Sequence, residues 1–228
     1  MHAWILGVAL VAAATTAFAA DDATAEALPC PRTNAAVIER FISAECAACW
    51  RAATSVRVDA NQWLLDWIVP SARGDEAPLA SAAPADARAR ARRALRYEVA
   101  VDRASMHRSA ARSTPPLLLQ VAAGPAWNGY FGVQVDGGGR PMARATVWIA
   151  LVEYVDTGTD GSAVPRELVR SVAGPYTPSE LRDGQPWQLL QAMRWPDTAK
   201  PARLQARAWI EDAGGRIVAM AGERCSAR

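Results

Sequence analysis

Residues 35–51 read Ala35-Ala36-Val37-Ile38-Glu39-Arg40-Phe41-Ile42-Ser43-Ala44-Glu45-Cys46-Ala47-Ala48-Cys49-Trp50-Arg51. Val37 to Ile42 form an apolar run of strand length, Ser43 to Glu45 supply a turn, and the segment from Cys46 is helix-prone. Cys46 and Cys49 have C-x-x-C spacing, so both sulfurs fall on one face of the helix start and can close a small ring. Unpaired N–H groups at a helix N-terminus stabilise a thiolate and lower the pKa of the first cysteine. The second cysteine, one turn deeper, would resolve a mixed disulfide. Glu45 opposes a thiolate at Cys46 and Arg51 favours one, so the redox poise stays open.

The chain downstream alternates strand and helix as far as about residue 125. Trp63-Leu64-Leu65-Asp66-Trp67-Ile68-Val69 reads as a second strand. A helix is expected over Pro84–Tyr97, with Pro84 at its start and a thin stripe of Ala87, Ala91, Ala94, Leu95 and Glu98. Thr114-Pro115-Pro116 precedes the apolar segment Leu117–Val121, and X-Pro is the one bond type that readily turns cis. From about residue 127 the period becomes two, as in Phe131, Val133 and Val135. Strands are expected at 146–154, 166–172, 187–195 and 204–210. Asp136-Gly137-Gly138-Gly139 and Asp212-Ala213-Gly214-Gly215 read as turns, the second leading into a terminal strand over 216–221. The proline-rich joints at 70–84 and 175–186 read as loops.

A strand feeding a helix whose first turn carries C-x-x-C is the thioredoxin arrangement. With the Trp/Asp-rich second strand, Thr114-Pro115 before a later strand and a β-rich second half, the chain resembles a bacterial family of secreted thioredoxin-like proteins of unknown function. The resemblance covers residues 35–221 in patches, and the order of the patches gives it value. It implies an α/β thioredoxin-like lobe at 35–125 followed by a mostly antiparallel, sandwich-like β lobe at 126–228, α+β overall. It also implies that Pro115 is a cis-proline facing the cysteines, with Thr114 shaping the substrate-facing loop. Three departures mark a divergent member. Trp50 stands where the family has proline after C-x-x-C, residues 156–163 replace a Gly-Glu-Asn stretch, and no helix-length segment separates Leu117–Val121 from Tyr130–Val135.

At the N-terminus, Ile5–Ala14 is an uncharged apolar run followed by Ala17-Phe18-Ala19, a small-x-small cleavage signal. Residues 1–19 are therefore read as a signal peptide and 20–34 as a polar leader. The mature chain is expected in the periplasm or secreted, with no membrane span after cleavage. All four cysteines lie in that mature part, and an even count in an oxidising compartment favours disulfides. Cys30 and Cys225, near the two mature ends, are expected to clip them together; free thiols or intermolecular bonding are the alternatives.

Composition narrows the function. The 228 residues carry 25 basic and 23 acidic side chains, a net charge of +2, which excludes a global basic field for nucleic acid. Two histidines, His2 and His107, exclude a histidine-rich metal site, and two cysteines alone do not complete a zinc site, so no metal is expected. His107 reads as a surface or packing residue. Arg88, Arg90, Arg92, Arg93 and Arg96 crowd the expected helix, either as a solvated face or as a contact for an anionic partner. Among nine tryptophans, Trp50, Trp63, Trp67 and Trp127 could line a groove beside the cysteines or serve as core packing.

Two readings follow. In the first, the protein is a periplasmic thiol-disulfide redox protein: Cys46 attacks, Cys49 resolves, the substrates are protein or peptide thiols and disulfides, and no cofactor is needed. In the second, Cys46–Cys49 is a structural disulfide in a non-catalytic binding or scaffold module with a degenerate thioredoxin-like lobe. A catalytic pair requires an exposed Cys46 beside an open groove; a structural pair requires burial.

Overall fold

All eight residues of β1 (Ala36–Ser43) are buried, including Glu39 and Arg40. A strand with no solvated face must lie inside a sheet covered on both sides. The computed structural model describes residues 36–52, 56, 58–59, 62–110 and 117–223. After β1 the chain makes α1 (Ala47–Arg51), β2 (Gln62–Val69), α2 (Ala87–Leu95), β3 (Ser105–Ala110), β4 (Leu118–Ala123), β5 (Tyr130–Gly138), β6 (Thr146–Val155) and β7 (Arg166–Tyr176). It ends with α3 (Ser179–Asp183), β8 (Trp187–Arg194), β9 (Leu204–Glu211) and β10 (Ile217–Gly222).

Seven strands form one mixed sheet in the order β10-β9-β6-β7-β2-β1-β3, and β4-β5-β8 form a second sheet. β1 and β2 are parallel over their whole length, and β3 runs antiparallel to β1. β6, β7, β9 and β10 pair antiparallel. The two groups join where β2 and β7 run parallel, with Asp66 opposite Leu168.

Side-chain alternation sorts the core into two layers. On β6, Trp148, Ala150 and Val152 face α2, whereas Val147, Ile149 and Leu151 face the small sheet. α2 lays Ala87, Ala91 and Leu95 on the first face, against Val37 and the tryptophans of β2. On the opposite face the small sheet covers the β6–β9–β10 end, and α1 with the loop after β2 covers Ile42, Ile68 and Leu168. α2 stops at Arg96, whose φ of 65° is left-handed, with Arg92 and Arg93 in its last turn where the helix dipole favours cations.

The expected α/β thioredoxin-like lobe followed by a β lobe is overturned. Strand far exceeds helix among the described residues, and one seven-stranded sheet draws strands from both sides of residue 125. The physical reason is a shortage of helix. α1 has five residues and ends where Ala52 turns extended (ψ 133°), and α2 has nine. Two such helices cannot cover a wide sheet, so a second sheet covers part of the remaining face.

Two smaller expectations change as well. Gly137 and Gly138 belong to β5 and do not form a turn. A Cβ on Gly137 would lie 2.1 Å from the Trp187 ring, so the glycine serves close approach. The joint expected from Pro175 is partly strand: β7 continues to Tyr176 through a cis Gly174–Pro175 bond, and α3 follows.

Candidate functional site

Cys46 closes the turn after β1, its N–H bonded to the Ser43 carbonyl at 2.9 Å. It is the N-cap of α1, where its sulfur accepts the Cys49 N–H at 3.2 Å. Cys46 and Cys49 form a disulfide with Cα atoms 5.2 Å apart. Cys46 is only 5 % exposed and packs in the cluster with Ile42, Ile68, Ala77 and Leu168; Cys49 is half-buried. The residue expected to attack a substrate is thus the less accessible of the two.

The helix behind the disulfide is held by charge. Trp50 is buried, and its indole N–H donates to the Asp160 carbonyl at 2.7 Å. Arg166, at the start of β7, donates to the Trp50 carbonyl at 2.6 Å and to the Ser162 hydroxyl at 2.7 Å. The third guanidinium nitrogen of Arg166, Nη1, lies 3.7 Å from Asp66. Asp66 also accepts from Arg40, with one contact at 2.8 Å, so two arginines share one fully buried carboxylate. Burial pushes the Arg166 pKa below the ordinary guanidinium value; Asp66 opposes the shift and Arg40 adds to it. Such a group keeps its charge because its normal pKa is so high.

Trp50, Trp67 and Trp127 do not share a groove in the structure. Trp50 packs beside the disulfide. Trp67 is fully buried on the α2 face, stacked on Phe41 with ring centroids 6.1 Å apart. Trp127 lies in the β4–β5 connection, bridged to Tyr130 and 80 % exposed. Trp63 is buried beneath the Arg207 guanidinium, 4.8 Å from its ring centre. His107 is half-buried on β3 and 3.0 Å from the Ser109 hydroxyl. Thr114, Pro115, Cys30, Cys225 and residues 1–19, expected to be a signal peptide, lie outside the described residues.

Sequence reasoning passed over Asp66, Arg166, Arg40 and Asp160. The available signal was Asp66 itself, a lone acid inside Trp63-Leu64-Leu65-Asp66-Trp67-Ile68-Val69. A charge in such a strand needs a partner from a neighbour. A cleft of about 300 Å³ beside Trp50 is lined by Leu79, Glu153, Asp160, Arg170 and Thr198 among others. Arg170 is 3.3 Å from Glu153, and burial pushes its pKa down. Among the described residues no group of three or more His, Cys, Asp or Glu side chains is placed to hold a metal ion. Comparison with known protein families, curated proteins and solved structures finds no significant match.

Proposed function

We propose that this protein is a non-catalytic binding or scaffold module in which Cys46–Cys49 is a structural disulfide. The observation that carries the reading is the burial of Cys46 in front of a helix pinned by Trp50 and Arg166. Thiol–disulfide exchange needs a nucleophile to approach a sulfur in line with the S–S bond. Side chains of the Ile42–Leu168 cluster stand around Cys46. A closed ring of four residues constrains the unfolded chain modestly, by about 2 kcal/mol in the chain-entropy model. Its main effect in the folded state is to fix the first turn of α1, which seats Trp50. Permanence of the bond calls for an oxidising compartment, periplasmic or extracellular.

The redox reading keeps one supporting observation, the half-buried position of Cys49. A glutathione redox titration of the mature protein, with mass mapping of the Cys46–Cys49 peptide, separates the two. A structural bond resists reduction at potentials above about −300 mV. A potential between about −120 and −270 mV, with Cys46 alkylated first, would replace this reading with a thiol-disulfide oxidoreductase.

A further inference from the structure

Six arginines line one pocket. The pocket has a volume of about 480 Å³, and its walls come from α2, β3, the β5–β6 connection and the β9–β10 turn. Arg90, Arg93 and Arg96 enter from the helix, Arg108 from β3, Arg140 from the connection and Arg216 from the turn. Asp212 is the acid in the wall, and Glu39 and Glu211 stand behind it as partners of Arg90. Among the described residues of the wall and floor, positive charges outnumber negative ones by three.

The arginines differ in how far they are satisfied. Arg90 is buried and pairs with both glutamates, so it forms the floor. Arg93 lies 4.8 Å over the Trp148 ring and 3.8 Å from Glu211, with its side chain 45 % exposed. Arg216 is held by Asp212, whose carboxylate also takes the Gly214 and Arg216 N–H groups. Arg96 and Arg108 are exposed and have no carboxylate partner among the described residues.

From this arrangement we infer that the pocket binds a ligand carrying two or more phosphate groups. Guanidinium groups match phosphate oxygens in paired hydrogen bonds, and several cations in one concave wall raise the local potential for anions. Arg96, Arg108 and Arg216 come from α2, β3 and the β9–β10 turn, so a ligand with several anionic groups engages more of them than a single small anion does. Arg93 covers Trp148, and among the described residues no aromatic ring apart from the imidazole of His107 lines the wall. A nucleobase would find little stacking surface, so recognition falls on the phosphates. Free phosphorylated solutes and phosphate-bearing lipid head groups share this chemistry.

The test is calorimetric titration of the full mature, oxidised protein with inorganic tripolyphosphate at roughly physiological ionic strength, where the Debye length is about 8 Å. The comparison is an Arg96→Ser/Arg108→Ser variant, which leaves the Arg90 network intact and whose thermal midpoint confirms folding. The expected result is saturable binding by the parent and at least tenfold weaker binding by the variant. Sedimentation with cardiolipin–phosphatidylcholine vesicles, lost in the variant and competed by tripolyphosphate, would assign a head group; tripolyphosphate binding without vesicle binding would assign a solute. No saturable heat with tripolyphosphate, or equal affinity in parent and variant, overturns the inference. The disulfide stays closed throughout, so this result is separate from the redox titration.

Discussion

Arg166 lies over the ring of Trp50, its guanidinium carbon 4.6 Å from the ring centre, while the same side chain donates a hydrogen bond to the Trp50 carbonyl. One residue of β7 thus holds both the face and the backbone of the residue following the disulfide. Replacing it exposes what that grip contributes. Arg166→Met should lower stability by about 3 kcal/mol, because Asp66 stays buried with one arginine fewer and the Trp50 carbonyl loses its donor. Urea denaturation measures the loss, and dithiothreitol should reduce Cys46–Cys49 faster in the variant. Arg166→Lys keeps a charge but not the fork, and should recover less than half of the stability.

The largest effect is expected at Arg90. Burial alone would weaken its charge, but Glu39 and Glu211 outweigh burial and raise its pKa above the ordinary guanidinium value. Both glutamates are about 1 % exposed. Arg90→Met leaves two carboxylates without their buried partner and should cost about 3–5 kcal/mol. Adding Glu39→Gln and Glu211→Gln to that variant should restore part of the loss, since neutral amides are cheaper to bury. No recovery in the triple variant would show that Arg90 acts by packing alone.

Asp212 makes stability pH-dependent. Burial alone would raise its pKa, but hydrogen bonds from the Arg216 side chain and the backbone N–H groups of Arg216 and Gly214 hold it below 3.8. The folded state therefore favours the carboxylate, so its contribution is full above that value and is lost as pH falls through the lower folded pKa. Asp212→Asn should destabilise by about 1 kcal/mol near pH 7, with the gap to the parent narrowing as pH falls below the ordinary carboxylate range. A gap that stays constant with pH would show that the carboxylate's charge is not what stabilises this turn.

Gly137→Ala tests the contact beneath Trp187. The new methyl carbon would sit 2.1 Å from a ring that is 6 % exposed and set in the core. Over-packing of this kind costs about 1–3 kcal/mol. The thermal midpoint should fall, and Trp187→Leu in the same chain should relieve the clash although it loses packing of its own.

Much of the strand order was legible. Val37–Ile42, Trp63–Val69, Thr146–Tyr154 and the hairpin around Asp212 lie within observed strands or turns, because apolar runs and Asp/Gly turn signals are local properties. β3 was missed: Ser105–Ala110 is a polar edge strand with alternating exposure and few β-forming residues. The pairing of β2 with β7 could not be read either, since nothing local marks two strands as neighbours. Arg90 shows the same limit at the candidate pocket. Within the helix segment it resembles the exposed Arg88, Arg92 and Arg93, and only tertiary contacts with Glu39 and Glu211 set it apart. At the disulfide, spacing identified the pair, but burial of Cys46 depends on side chains from β2 and β7.

The junction between β2 and β7 also bears on how the chain reaches this state. Asp66 and Leu168 stand roughly a hundred residues apart in sequence. During synthesis β2 emerges long before its neighbour, leaving Trp63–Val69 as a temporary open edge with strong β-forming character. Joining the two strand groups is a non-local closure that must wait for β7, and such closures are slow. Through that interval the mid-strand charge of Asp66 interrupts an otherwise apolar run and discourages pairing with other chains. The carboxylate that later seats Arg166 is thus also placed to guard the unfinished sheet against aggregation.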